Sequence, residues 1–193
     1  FGTFRELIER ITLSPAMGVY LSMRGSQKAD TVNGRRPDEN YARELLQLFT
    51  IGLKELDVHG MPTTNDTYTN DDVMALSRVL TGWDFGVATP PTYVPPSTPD
   101  FTRVPMKPHA DLHDEGDKTF LGLTIAGKAN DAAGDLEQAL DHICAHHNVP
   151  FFFSRQLIQR LVMSNPTPEY VMRVANKFKD NGKGVRGDLK AVI

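Results

Sequence analysis

The chain has 193 residues, 40% hydrophobic and 23% charged, which is a globular composition and excludes a disordered chain. Its 21 basic and 24 acidic residues give a net charge of −3, so no basic excess attracts a phosphate backbone, and no nucleic-acid partner is expected. The single cysteine, Cys144, excludes an intrachain disulfide framework, and no apolar run approaches the roughly 20 residues of a membrane helix.

Thr3-x-x-Glu6 reads as a capping box, with Phe4, Leu7, Ile8 and Ile11 following at helical spacing. Ser14-Pro15 opens a second, short helix whose apolar surface is Met17, Val19, Tyr20 and Leu21. Residues 24–36 are polar, contain two glycines and read as a loop. A strong helix is predicted from about Asp38 to Ile51. Tyr41, Leu45 and Phe49 form its apolar stripe, and Asn40, Arg43, Glu44 and Gln47 form the polar stripe opposite. Gly52 suits its C-terminal stop. Lys54 to Tyr68 reads as a surface loop, after which Thr69-x-x-Asp72 caps a helix carrying Val73, Met74, Leu76, Val79 and Leu80.

Residues 84–110 hold seven of the 13 prolines, and proline lacks the donor that a helix or central strand requires, so a long irregular loop is expected there. His109 to Ile125 reads as the only β structure, a hairpin with a turn at Asp114-Glu115-Gly116 and a strand from Lys118 to Leu121. Helices then follow at about Ala132–His147 and Pro150–Met163, and another after Thr167-Pro168. Asp188 caps a last one that stops at Ile193. The expectation is a mainly α fold: a compact multi-helix array with one short β-hairpin and a long proline-rich loop, forming a single domain over residues 1–193. A start without Met, directly at a helix, and an abrupt amphipathic end read as a fragment of a longer protein.

Several stretches carry a resemblance. They are Leu13-Ser14-Pro15-Ala16-Met17-Gly18, Glu39 to Gly52, Tyr68 to Val73 with Leu80-Thr81-Gly82-Trp83, His113-Asp114 with Lys118 to Gly122, and His146 through Arg155-Gln156-Leu157 to Gly187-Asp188-Leu189. In this order they resemble the bacterial domain of unknown function 1800 family, across nearly the whole chain. The resemblance implies a middle to C-terminal segment of a longer, exported protein, hence periplasmic or extracellular residence. It supplies no activity. The family often has His-Pro-Asn where this chain has His146-His147-Asn148, so a rigid start to the following helix is put in doubt.

Candidate chemistry is sparse. Glu44, on the polar stripe, has the chemistry of a general base or metal ligand, although ordinary helix faces are equally polar. His113, Asp114 and Lys118 surround the expected hairpin, where a histidine beside carboxylates suits acid–base work. His113, Asp114 and His146 are the candidate metal ligands, and Glu44 would complete a set that holds zinc or iron. The alternative is an ordinary turn with a strand-end histidine. His142-x-x-x-His146 places two imidazoles on one helix face but lacks the glutamate of His-Glu-x-x-His.

Gly182 to Gly187 fits Gly-x-Gly-x-x-Gly but follows a helix rather than a strand, so it reads as a helix stop before the Asp188 cap. No motif implies a cofactor. Two functional expectations remain: a binding or assembly module of an exported protein, partnered by another protein or by other parts of its own chain; or a metal-dependent or acid–base hydrolase using Glu44, His113, Asp114, Lys118 and His146.

Overall fold

The structure, a computed structural model, describes residues 2–86 and 103–193. The elements run α1 (Phe4–Thr12), α2 (Pro15–Tyr20), α3 (Asn40–Glu44) continued by a π-helical turn (Leu45–Thr50), β1 (Lys54–Leu56), β2 (Pro62–Asp66), α4 (Asn70–Val79), β3 (Trp83–Asp84), β4 (Lys107–Pro108), a 3₁₀ turn (Ala110–Leu112), β5 (Lys118–Phe120), β6 (Leu123–Ile125), α5 (Ala132–Ala145), α6 (Asn148–Leu161), α7 (Pro168–Lys179) and α8 (Leu189–Val192). The fold is mainly α, with strands only in two-stranded antiparallel pairs among the described residues. None of these helices is long and apolar enough to cross a membrane.

The residues group into two compact units. One comprises Phe1–Ile8, Leu45–Tyr68 and Asp141–Ile193; the other comprises Glu9–Glu44 and Thr69–Leu140. In the first unit α6 packs on α7, and Phe151, Ile158, Val171 and Ala175 form a buried cluster. Phe4, Phe153 and Phe178 make a second cluster with ring centroids 4.7 to 5.6 Å apart. The fully buried Asn148 opens α6. Its Oδ1 accepts from Leu56 N at 2.9 Å, while its Nδ2 donates to Ile51 O at 2.9 Å and to Lys54 O at 2.8 Å. β1 is thereby fastened along its length to the start of α6.

In the second unit α4 lies against α3 and β5. The predicted caps form there and elsewhere. Thr69 and Asp72 make a full capping box on α4, Glu6 and Thr3 pair reciprocally before α1, and Thr167 and Asp188 cap α7 and α8. The predicted β5–β6 hairpin exists, but it turns at Leu121-Gly122 rather than at Asp114–Gly116. Both turn residues have positive φ, 48° and 78°, as a type I′ turn requires. Leucine is unusual there, and Asp72 Oδ1 holds it by accepting from Leu121 N at 2.7 Å.

Three expectations need correction. Lys54–Tyr68 is not a loop: β1 and β2 pair in it, and Asp57 Oδ1 shapes their turn by accepting from His59 N and Met61 N. Every β2 residue is exposed, so no alternating apolar pattern advertised the strand. Trp83–Asp84 and Lys107–Pro108 form a further pair inside the expected irregular stretch. The prolines from Pro90 to Pro99 lie outside the described residues. The helix expected to end at His147 stops at Ala145, where Arg186 donates to Cys144 O, Ala145 O and His146 O and satisfies its terminal carbonyls.

Asp72 serves a helix cap and a strained turn together. Asp72→Ala is expected to lower unfolding free energy by about 2–4 kcal/mol, adding a capping box to a charged hydrogen bond. Urea denaturation of the variant checks this, and a loss under about 1 kcal/mol contradicts it.

Candidate functional site

The sequence candidates divide between the two units. In the second, Thr81 follows α4 and anchors the segment that carries His113 and Asp114. Thr81 Oγ1 accepts from Asp114 N at 2.9 Å, and His113 Nδ1 donates to Thr81 O at 2.9 Å. A carbonyl oxygen only accepts, so Nδ1 carries a proton. Gly82 makes this approach possible: a Cβ there would lie 2.9 Å from both His109 O and His113 N.

On its other side His113 Nε2 lies 3.1 Å from Asp135 Oδ2, the same oxygen that accepts from Lys118 Nζ at 2.6 Å. The side chains of His113 and Lys118 are 0% exposed and that of Asp135 is 1% exposed. A buried ammonium needs a counter-charge, and Asp135 provides it. No face of this trio is open to a substrate, so its chemistry is spent on linking the β5 strand, α5 and the 113 segment. Asp114 is likewise engaged: Arg78 grips it through Nε at 2.9 Å and Nη2 at 2.8 Å, and Gly116 N donates to it at 3.0 Å. Desolvation works to raise the Asp114 carboxyl, but the Arg78 and Gly116 hydrogen bonds and the charges of Arg78 and Lys118 outweigh it and hold it below the usual range. Glu44 is partly buried, and its Oε2 has no hydrogen-bond partner among the described residues.

His146 belongs to the other unit, just past the end of α5, so the expected helical face shared with His142 does not continue to it. Glu55 and His147, neither a sequence candidate, have ligand atoms close to its own. Burial, followed by the neighbouring His147 charge, holds the His146 imidazole below its ordinary pKa.

That unit also carries a cleft of about 400 Å³ between the β1–β2 hairpin and α6. Its floor includes Gly52 and the Phe152 ring, and its walls include Leu48 and Leu53, which are 51% and 53% exposed. Gly52 has φ 74°, and a Cβ there would come within 2.6 Å of Phe152 Cε2, so glycine keeps the floor open. Gln156 donates to Leu48 O at 3.2 Å and fixes one wall to α6. Arg155 and Gln159 stand at the rim, and no ion partner engages Arg155 among the described residues.

A family model described as "Protein of unknown function (DUF1800)" matches residues 1–193. The chain belongs to this family. Comparisons with curated proteins and with solved structures give no match. In this DUF1800 chain the glycine-rich segment binds itself. Asp180 Oδ1 accepts from Gly182 N and Gly184 N, and Asn181 Oδ1 from Lys183 N and Val185 N, leaving those amides unavailable to a phosphate. Sequence reasoning missed Asp135, because an acid in the first turn of a helix reads as an ordinary dipole partner. It also missed Glu55, hidden in a segment read as loop.

Asp135→Ala strands a buried ammonium and is expected to cost about 3–5 kcal/mol, whereas the double variant Lys118→Met/Asp135→Leu regains more than half of that. Chemical denaturation of both compares them; equal losses contradict the pairing. Burial also pushes the Cys144 thiol up to about 12, so it stays protonated well above neutral pH. The native protein is expected to leave a thiol-reactive dye unconsumed at about pH 8, with one equivalent reacting on unfolding.

Proposed function

We propose that this protein is a binding module of an exported bacterial protein, and that the cleft beside β1–β2 receives an apolar polypeptide segment bearing an acidic residue. The observation that carries the reading is the cleft itself. Leu48 and Leu53 stand half exposed over a Phe152 floor that Gly52 keeps accessible. Unpartnered leucines around a concave, mostly apolar surface mark an interaction site rather than ordinary surface. Arg155 at the rim supplies a cation for the acidic group of the occupant. The end of the same helix adds three exposed apolar residues, Leu161, Val162 and Met163.

The sealing of His113, Asp135 and Lys118 supports this reading over hydrolysis. General acid–base work needs the group within hydrogen-bond reach of the substrate, and these side chains have no open face. The Arg78 grip on Asp114 points the same way.

Fluorescence anisotropy with labelled peptides that alternate leucine and glutamate provides the test. Saturable binding is expected. Leu53→Glu is expected to weaken it by about tenfold or more, since losing even half of one leucine's burial approaches 1.4 kcal/mol. Arg155→Glu is expected to weaken acidic peptides selectively. Binding that is indifferent to both substitutions removes the cleft as the site.

A further inference from the structure

The junction between α5 and α6 consists of His146 and His147 alone. It sets two imidazoles against one carboxylate. His147 Nε2 lies 2.5 Å from Glu55 Oε2, and His146 Nε2 lies 3.9 Å from Glu55 Oε1. One ligand atom from each of the three residues falls within 4.8 Å of the other two. The rings stack with centroids 4.4 Å apart and planes inclined by 27°.

We propose that Glu55, His146 and His147 form a binding site for a divalent transition ion, with zinc as the preferred one. The donor set is two neutral nitrogens and one carboxylate oxygen, a combination zinc takes with one position left open. With zinc–ligand bonds of about 2.1 Å, tetrahedral ligand atoms stand roughly 3.4 Å apart. The His147 nitrogen lies 2.5 Å from one Glu55 oxygen and the His146 nitrogen 3.9 Å from the other, so capture needs a turn of the carboxylate and a small opening of the His147 contact.

Backbone bonds hold the chain on both sides of Glu55 and at His146, while the His147 side chain lies toward solvent. Asn148 bonds both neighbours of Glu55, taking Leu56 N on its Oδ1 and giving Nδ2 to Lys54 O. Arg186 donates to His146 O at 3.0 Å. The His147 side chain is 64% exposed and can turn out of the stack to aim its lone pair at the ion.

The His146 ring is tied to the start of α6. Its Nδ1 accepts from Asn148 N at 3.2 Å, which leaves the ring proton on Nε2. Coordination through Nε2 transfers that proton to Nδ1 and breaks the Asn148 bond. Ion capture is therefore coupled to the first amide of α6. His147 also lines a cleft of about 380 Å³ with Lys179 and Arg186, which gives a bound ion a side open to water or to a small anion.

The site is independent of the apolar cleft, and its test uses metal alone. Titrating the 193-residue protein with Co²⁺ is expected to produce visible d–d absorption that saturates at one equivalent and is abolished by Zn²⁺. His147→Ala and Glu55→Gln are each expected to weaken Zn²⁺ binding by at least about tenfold in calorimetry, whereas His59→Ala leaves it unchanged. His147 is mostly exposed, so its removal leaves the fold intact. The amide signal of Asn148 is expected to shift on saturation. Zinc binding weaker than about 0.1 mM in the unaltered protein overturns the proposal, as does equal affinity in His147→Ala.

Discussion

One buried carboxamide, that of Asn148, organises the surface that carries both the apolar cleft and the histidine pair. Its oxygen and its amino group satisfy three backbone groups, on Leu56, Ile51 and Lys54, the Ile51 bond fully buried and the other two part-buried. Those bonds fix where the chain leaves the π-helical turn, how β1 lies along α6, and where Glu55 stands relative to the two histidines. No apolar residue of similar size replaces it, because the polar backbone groups would remain while their partner vanished. The exposed β2 strand, with no apolar face of its own, depends on this anchorage through β1.

The distribution of ionisable groups follows the same logic of satisfied burial. Lys118 and His113 converge on Asp135 in the sealed interior, and Arg78 converges on the part-buried Asp114, so each buried carboxylate has a partner. These are residue types associated with catalysis, arranged as structural ties. The open surfaces have a different character. One is an apolar cleft with a cation at its rim; the other is an exposed imidazole stacked on a mostly buried one beside a carboxylate. Function is therefore read more profitably from what the surface leaves unsatisfied than from the reactivity of the interior.

Local rules made much of the fold legible. Thr3, Thr69, Thr167 and Asp188 announced helix starts because each cap is a contact between near neighbours in sequence. The apolar period gave α1, α4, α5, α6 and α7 within a few residues. β1, β2, β3 and β4 escaped because they are two to five residues long and are held by backbone pairing rather than by an alternating face. Among the candidates, His113 and Lys118 were read only as flanking a hairpin, because their common partner Asp135 lies more than a dozen residues away and carries no motif. His146 was singled out without Glu55, since the fold that joins positions 55 and 146 is long-range. The replacement of proline by His147 was visible in the sequence as a departure, though its chemical consequence needed the neighbouring carboxylate.

The π-helical turn at Leu45–Thr50 has a bearing on how this segment tolerates change. Thr50 Oγ1 donates to Leu45 O at 2.6 Å, and Ile51 N reaches back to Leu46 O at 3.0 Å, five residues away instead of four. Such a turn is an ordinary helix carrying one residue more than its hydrogen bonds require. Deleting one residue within it would restore regular winding and leave the downstream chain close to its present direction, because the extra residue is what the wide turn absorbs. Gly52 would stay against the Phe152 ring, whereas a further inserted residue would have no such turn left to absorb it. The segment is therefore expected to survive the loss of one residue more readily than the gain of one.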